Sequence, residues 1–242
     1  MEEDKKRVRR NNIFLLLTLL VFALIVRYIY GQGPAVSAFR AWIPLSGKVI
    51  VIDPGHGGID GGASFNNVLE KNMNLEVSLK LKRMLERDGA NVIMTRAKDV
   101  SLDHLNRKNE YRHKRDLISR VDIINSTAPD LFLSIHVNAD RSSSKTNGPM
   151  VFYFINSIES KKIAQSIQKK LEEAYTQSGH NVSPRKPVGN ISLYILRNTK
   201  VPGVIIELGF ITNTKDRELL TTQAFQERIS AAILLAIKEY FS

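Results

Sequence analysis

The sequence contains no cysteine. This absence excludes a disulfide framework, a thiol nucleophile and any zinc site built on thiolates. Aromatic residues make up only 7% of the 242 residues, with a single tryptophan, and no basic helix with interleaved aromatic side chains stands out. We therefore expect no nucleic-acid binding, and the formal net charge of +11 suggests instead an anionic wall or membrane surface nearby.

Widespread catalytic motifs are absent as well. The chain has no G-x-S-x-G, which leaves a nucleophilic serine unsupported, and no H-E-x-x-H, which excludes a zinc peptidase of the helix-borne type. Its glycines do not show the spacing of a phosphate-binding loop. Hydrophobic residues amount to 43% and charged residues to 24%, a balance that is typical of a folded globular domain and not of a disordered chain.

The N-terminal region has the charge pattern of an export signal. Residues 1–12 hold five cations, and the apolar run that opens residues 13–30 contains one polar residue, Thr18, before Arg27. Residues 13–30 can act as a cleaved signal peptide, with small residues at 36–38 for cleavage, or as an uncleaved membrane anchor. A buried core helix is the third alternative.

In the first two cases the basic segment 1–12 stays in the cytoplasm and the remainder is exported. We then expect the protein at the outer face of the cytoplasmic membrane or in the cell-wall space. The first 45 residues hold seven of the 35 cations and three of the 24 acidic residues, so the remainder carries a net charge of +7. Residues 31–46 are rich in glycine, proline and serine, which is typical of a short linker.

Residues 47–242 alternate short apolar runs with segments of helical periodicity. This order predicts one α/β domain with a twisted, mainly parallel central sheet of about six strands and helices on both faces. The predicted strands lie at 48–52, 91–95, 131–137, 150–155, 193–196 and 204–208. The predicted helices lie at 72–88, 112–127, 157–177 and 225–241.

Two histidines lie at the carboxyl ends of predicted strands. His56 follows the first strand in the glycine-rich string DPGHGG, and His136 is the second-last residue of the third strand. Each histidine alone fits a turn or core residue, but functional sites of open α/β sheets gather at the carboxyl ends of strands. Because neutral imidazoles are common zinc ligands, the pair suggests a metal site. The remaining histidines, His104, His113 and His180, have polar neighbours and are expected to be solvated.

Two glutamates stand out near the same edge. Glu70 lies at the start of the helix after the His56 loop. A glutamate at this place is an ordinary partner of the helix dipole. Its position near the strand edge also suits a third zinc ligand. Glu207 interrupts the apolar run VIIELGF. A carboxylate in a buried strand is costly unless it is paired or bound to metal. Glu207 is therefore either a salt-bridged structural residue or a general base with a raised pKa.

Taken together, four motifs make the chain resemble the zinc-dependent N-acetylmuramoyl-L-alanine amidases. The motifs are IDPGHGG at 52–58 with Glu70 behind it, TR at 95–96, SIHVNA at 134–139 and PGVIIELGFITN at 202–213. The resemblance runs from about residue 48 to the C-terminus with the motifs in order. Their combination is specific, although each motif alone is not.

The resemblance implies the fold predicted above and one Zn²⁺ per chain, held by His56, Glu70 and His136, with Glu207 as the catalytic glutamate. It implies hydrolysis of the amide between the lactyl group of N-acetylmuramic acid and L-alanine in peptidoglycan. Zinc would polarise the carbonyl group and lower the pKa of a water molecule, while Glu207 would move the proton to the leaving nitrogen.

Two further residues are candidate substrate contacts in that reaction. Arg96, at the end of the second strand, could hold a peptide carboxylate or the developing oxyanion. Asn138, two residues after His136, could hydrogen-bond the stem peptide from the same strand face.

The single N-terminal apolar segment and the compact size are most similar to the germination-specific, spore-cortex members of the family, whose product leads toward muramic lactam. Some members carry an autoinhibitory helix after the second histidine motif. Residues 141–147 are too few for such a helix, so control would come from expression, location or an activating protein partner. Residues 102–114 are longer and more basic than the resemblance leads us to expect, and fit a surface loop or a partner contact.

Other functions remain open from the sequence. A zinc peptidase or a carbohydrate deacetylase could use the same ligand set on a similar sheet. A non-catalytic cell-wall-binding module is the alternative outside enzymes, but it leaves a buried Glu207 without an explanation.

Overall fold

The computed structural model describes residues 2–31 and 43–242. The chain divides into two compact units, Met1–Ser46 and Gly47–Ser242. Residues 32–42, which include most of the expected linker and the expected cleavage site, lie outside the described residues.

The first unit contains helix α1, which spans Glu2–Gly31. Its side chains from 14 to 28 are exposed and almost entirely apolar. Among the described residues, none of the helices combines the length and the apolar character needed to cross a bilayer.

The second unit is built on a six-stranded sheet and a separate two-stranded hairpin. The strands, in chain order, are β1 (Val49–Pro54), β2 (Ser64–Phe65), β3 (Val68–Leu69), β4 (Asn91–Met94), β5 (Leu131–Asn138), β6 (Met150–Phe154), β7 (Val188–Asn190) and β8 (Gly203–Phe210). The sheet order is β4-β1-β5-β8-β6-β7, and β2 pairs with β3. Strands β4, β1, β5 and β8 run parallel, while β6 is antiparallel to β8 and parallel to β7. The prediction of a mainly parallel sheet of six strands is confirmed.

Helices cover both faces of this sheet. They are α2 (Glu70–Arg87), α3 (Arg112–Thr127), α4 (Ile158–Gln177), α5 (Tyr194–Asn198), α6 (Thr214–Leu220) and α7 (Gln223–Phe241). Helices α2 and α4 pack on one face of the sheet and α7 packs against both of them, while α3 and α5 pack on the other face. On the α3 side, Val51, Phe132 and Ile205 of three neighbouring strands bury their side chains against Ile124 and Leu196. Alternate strand residues face the opposite layer, which explains why these strands read as continuous apolar runs.

One predicted strand is wrong. Leu193 caps the start of helix α5 and residues 194–196 lie within it, and the sixth strand of the sheet is β7. The Asn190 side chain accepts hydrogen bonds from the backbone N–H groups of Ser192 and Leu193, so the chain turns there. Ile195 and Leu196 then bury against the core from a helical turn. A short apolar run does not distinguish a strand from a buried helical turn.

The β2–β3 hairpin positions the start of α2. Its two turn residues, Asn66 and Asn67, have φ of 47° and 62°, as a two-residue type I′ turn requires. At the base of the hairpin, the Glu70 N–H donates to the Ala63 carbonyl oxygen (2.9 Å). Helix α2 therefore begins at Glu70, two residues earlier than predicted, and its first side chain lies beside the end of β1.

Candidate metal centre

The first histidine follows β1 in a tight turn. His56 has φ of 61°, in the left-handed region, so the chain changes direction directly after the strand. Gly55 precedes it, and a Cβ atom at this position would lie 2.2 Å from the His136 ring. Glycine at position 55 therefore lets the end of β1 approach His136, and the two imidazole centroids are 5.0 Å apart.

Three side chains converge at the carboxyl edge of the sheet. His56 Nε2 lies 3.2 Å from Glu70 Oε2, and His136 Nδ1 lies 3.0 Å from Glu70 Oε1. One donor atom from each residue lies within 4.8 Å of the other two. Two imidazoles and a carboxylate are a common ligand set of catalytic zinc, with a fourth position left for water. The structure thus brings together the three residues that the sequence proposes as ligands.

The Glu70 carboxylate is held in place by N–H donors. Oε2 accepts a hydrogen bond from Ala63 N (2.8 Å), and Oε1 accepts from Val137 N (3.1 Å) and Asn74 Nδ2 (3.2 Å). Burial acts to raise the pKa of Glu70, but the two neighbouring histidines outweigh it and hold that pKa far below its usual range. Glu70 is therefore an oriented anion, which suits a metal ligand.

His56 is oriented from its other ring nitrogen. Its Nδ1 lies 3.0 Å from Asp60 Oδ2, the arrangement in which a carboxylate fixes the tautomer and leaves Nε2 for a metal. Burial acts to lower the pKa of His56, but Glu70 and Asp60 outweigh it and raise the pKa to about 9. A Cβ atom at Gly62 would lie 2.5 Å from Glu70 Oε2, so this glycine leaves room for the ligand. The residues present fit a divalent cation.

Glu207 lies on β8 directly opposite His136 of the adjacent parallel strand. Paired residues on neighbouring strands point to the same face of a sheet, so Glu207 faces the metal centre. The residue is half-buried, and its buried Oε2 has no hydrogen-bond partner within the described part of the chain. Burial raises the pKa of Glu207 to about 7. A carboxyl with this pKa can accept and donate a proton near neutral pH.

Beneath the metal centre, a buried ion pair supports the His56 turn. Arg120 of α3 donates to Asp53 Oδ1 (2.6 Å) and to the carbonyl oxygens of Pro54 and His56, both at 2.7 Å. Sequence reasoning missed this pair. The available signal was Asp53, a carboxylate at the end of an otherwise apolar strand, which needs a buried partner.

The placement of Arg96 does not fit the predicted substrate contact. The side chain is 3% exposed, and its guanidinium donates to four backbone carbonyl oxygens, those of Pro54, Gly55, Lys71 and Lys98. Burial lowers the pKa of Arg96 to about 10, so it remains a cation at neutral pH. Four of its five N–H groups are used by the backbone. Arg96 therefore ties the DPGHGG turn to the start of α2.

Asn138 lies at the end of β5, half-buried, two residues past His136. The β5–β8 register shifts between these two positions. Its Oδ1 accepts a hydrogen bond from Ala139 N (2.7 Å), and its Nδ2 lies 3.8 Å from the Met150 sulfur. One amide N–H remains for a ligand, so a contact with the stem peptide stays a prediction.

The prediction that His180 is solvated is wrong. Its Nε2 lies 2.8 Å from Asp216 Oδ1, and both residues are buried. Asp216 Oδ2 also accepts from the backbone N–H groups of Gly148 and Phe210. The polar sequence around His180 did not reveal this distant partner. In contrast, His104 and His113 are exposed, as predicted.

Residues 102–111 form a loop that packs on α3, and residues 112–114 are the first turn of that helix. Leu102 is buried, and its backbone N–H donates to Asp116 while its carbonyl oxygen accepts from Ser119. One turn of 3₁₀ helix follows at Asp103–Leu105. The loop is thus anchored at its start, and a partner contact along it stays a prediction.

Known proteins are similar to this chain in both sequence and fold. The germination-specific N-acetylmuramoyl-L-alanine amidase of Bacillus subtilis (strain 168) is 35% identical over 229 residues, which cover 94% of this chain and 93% of that protein. The CwlD amidase from Clostridioides difficile, solved in complex with the GerS lipoprotein, superposes with a TM-score of 0.73 at 35% identity, covering 80% of this chain and 98% of the other.

The catalytic domain of CwlV, an N-acetylmuramoyl-L-alanine amidase from Bacillus (Paenibacillus) polymyxa var. colistinus, gives a TM-score of 0.65 at 29% identity, covering 80% of this chain and 97% of that domain. The sequence model of the N-acetylmuramoyl-L-alanine amidase family matches residues 50–239. This range contains the convergent histidines and both glutamates described above. The chain therefore belongs to the N-acetylmuramoyl-L-alanine amidase family.

Proposed function

We propose that this amidase cleaves the bond between the lactyl group of N-acetylmuramic acid and L-alanine with one Zn²⁺ held by His56, Glu70 and His136. The family membership makes the chain a peptidoglycan amidase. The donor set supports zinc, because each of two ligands has a second hydrogen-bond partner that fixes its orientation.

The observation that carries the proposal is the position of Glu207. It lies across from His136 on the neighbouring strand, with a buried oxygen that no group in the described part of the catalytic unit satisfies. Such a group is costly for stability, and a function for it accounts for that cost.

A divalent cation bound by the three ligands supplies a Lewis acid for the scissile carbonyl and lowers the pKa of a water molecule. Glu207 accepts a proton from the attacking water and donates it to the leaving L-alanine nitrogen. The water oxygen bonds to the carbonyl carbon and the C–N bond breaks. The new lactyl carboxyl group gives up the second water proton, so the products are a carboxylate and a protonated L-alanine amine. Because an amide nitrogen leaves poorly unless it is protonated, the donating half of this role matters as much as the accepting half.

The test is Glu207→Gln in the full-length chain, with muropeptides analysed by mass spectrometry. We expect the zinc content to stay at one ion per chain while the release of L-alanine amino groups falls by about two orders of magnitude or more. Undiminished turnover would remove Glu207 from the mechanism. Release of acetate, or cleavage within the stem peptide, would favour the deacetylase or peptidase alternative.

We further propose spore-cortex peptidoglycan as the substrate in the cell, with cleavage as the first step toward muramic lactam. Support comes from the extent of the likeness to the germination-specific amidase, which covers 94% of this chain. Spores that lack the protein should then contain no muramic lactam, and re-expression should restore it. Normal muramic-lactam content in such spores would exclude this role.

The proposed location is outside the cytoplasm, with residues 13–30 as signal peptide or anchor, residues 31–46 as linker and residues 47–242 as the catalytic domain. The basic start followed by an apolar run supports export. The CwlD amidase from C. difficile was solved in complex with a lipoprotein, and we propose that this chain binds a protein partner that activates it. Fractionation of cells, with N-terminal sequencing of the exported form, tests the location.

A further inference from the structure

A cleft adjoins the metal centre, and the mechanism above does not use it. Its volume is about 310 Å³, and its walls come from the segments that follow β1, β5 and β8, including Ala63, Phe65, Arg141 and Thr212. The backbone N–H of Ala63 donates to Glu70 Oε2. Ala63 therefore both lines the cleft and contacts Glu70, a proposed metal ligand.

Arg141 is the cation at this cleft. It is exposed, and within residues 43–242 it has neither an ion-pair partner nor a side-chain hydrogen bond. Asp140 also lines the cleft. Within the described residues it makes no ion pair with Arg141, because its oxygens accept hydrogen bonds from the turn that follows: Ser142 N, Ser142 Oγ, Ser143 N and Thr146 Oγ1. Asp140 thus shapes the loop and leaves the Arg141 guanidinium available for a ligand.

Phe65 forms an apolar wall of the same cleft. Its ring is 39% exposed, and the Arg217 guanidinium carbon lies 4.6 Å from the ring centroid. Arg217 is itself buried and donates to the Ile211 carbonyl oxygen (2.8 Å). The ring is therefore fixed by a cation behind the hairpin, while part of its surface stays open to a ligand.

We infer that this cleft holds the second residue of the stem peptide and that Arg141 binds the free carboxylate of that residue. The inference rests on the proposed function. In a peptide that starts at the scissile nitrogen, the second residue lies about 7 Å away, and Arg141 follows His136 by five positions, three residues past the end of β5. A cleft of about 310 Å³ suits one or two amino-acid residues.

Arg141 then determines specificity between two forms of the substrate. The second residue of peptidoglycan stems is a glutamate whose α-carboxyl is either free or amidated. A guanidinium binds a carboxylate through two charge-assisted hydrogen bonds, whereas a carboxamide offers one acceptor and no charge. The free-carboxyl form is therefore the preferred substrate.

The experiment compares two muropeptides that differ only at that carboxyl, with the zinc-loaded full-length chain. We expect the wild-type KM to be about tenfold lower for the carboxylate substrate at similar kcat. Arg141→Gln should raise the KM of the carboxylate substrate to that of the amide, and Arg141→Lys should keep part of the preference. Lys145→Gln, a charge removal on an exposed residue of the same loop, should preserve it.

Calorimetric titration with the released peptides, free and amidated, gives a second readout that does not need turnover. Equal affinity of the wild type for both peptides, or an unchanged preference in Arg141→Gln, would overturn the inference and leave the amidase proposal intact. If neither muropeptide is turned over, the proposed function is overturned. The titration would still decide whether Arg141 binds the free carboxylate more tightly than the amide.

Discussion

Arg120 and Asp53 form an ion pair closed to solvent, with 2.6 Å between Arg120 Nη1 and Asp53 Oδ1. The same guanidinium holds the carbonyl oxygens of Pro54 and His56. The pair therefore joins helix α3 to the turn that carries the first histidine of the metal centre. Its protonation state affects both stability and the shape of the site.

Asp53→Asn should destabilise the fold and change its response to acid. Burial acts to raise the pKa of Asp53, but Arg120 and the hydroxyl groups of Thr95 and Ser134 outweigh it and hold the pKa below its ordinary value of 3.8. The resulting stability is complete above about pH 4 and is lost as the pH falls through the lower folded pKa. The variant removes one of the two buried carboxylates that pair with Arg120 and leaves the other, Asp116, at 2.6 Å, so the free energy of unfolding should fall by about 3 kcal/mol at neutral pH.

Urea unfolding followed by circular dichroism, from about pH 7 to about pH 2, measures both effects. Asp122→Asn is the matched control, because Asp122 pairs with Lys108 at the surface and should cost less than about 1 kcal/mol. If wild type and Asp53→Asn lose stability in parallel on acidification, Asp53 is not the titrating group.

Metal removal should destabilise the protein as well as inactivate it. A ligand that binds only the folded state stabilises it by about 2.7 kcal/mol at one hundred times its Kd. Zinc added to the chelated wild type should therefore raise the melting temperature and restore activity. In His136→Ala, added zinc should change neither the melting temperature nor the activity. His104→Ala, at an exposed histidine, should behave as wild type. Activity that survives chelation would refute the zinc proposal.

Asp60→Asn should weaken zinc binding without unfolding the chain. Asp60 holds His56 Nδ1 at 3.0 Å, and loss of such an orienting carboxylate reduces metal affinity by about 10- to 100-fold. Competition with a fluorescent zinc chelator measures the Kd, and a thermal melt of the metal-free protein checks the fold. An unchanged Kd would mean that the ring is held by its other neighbours alone.

Gly55→Ala should disrupt the metal centre by steric overlap. The added Cβ would lie 2.2 Å from the His136 ring, so the ring or the end of β1 must move, and we expect loss of bound zinc and of activity. At Gly61 a Cβ would meet Leu69 at 3.5 Å, an ordinary contact, which makes Gly61→Ala the matched control. Zinc content determined by elemental analysis separates the two variants. Equal zinc content in the two variants would show that the His136 ring and the end of β1 accommodate the added methyl group without loss of zinc binding.

Most of the sheet could be predicted because its strands carry apolar side chains on both faces. The apolar runs KVIVI and LFLSIHV predict buried strands. The carboxyl ends of these two strands predicted the edge of the sheet at which the two histidines meet. Residues 193–196 failed because four apolar residues fit a strand and a helical turn equally. The deciding contact, the Asn190 side chain that bends the chain, is not visible as a periodicity.

At the site, the sequence indicated the groups whose placement is unusual for their chemistry, such as Glu207 in an apolar run. It could not indicate contacts between residues far apart in the chain. His180 has polar neighbours in sequence, yet it is buried against Asp216, 36 positions away. Arg96 fits a substrate contact by position alone, and only the four carbonyl groups around it reveal that its hydrogen bonds are already used.

The direction of β6 has a consequence for substrate entry. Because β6 runs antiparallel to β8, with Met150 opposite Glu207, the polypeptide that leaves β5 at the catalytic rim returns to the sheet at that same rim. The intervening residues, 139–149, are tethered at both ends beside the reacting groups and carry no strand of the sheet. Because this stretch contains Arg141, lengthening or shortening it would change access to the proposed peptide cleft while every strand keeps its pairing, which makes it a suitable position for engineering selectivity.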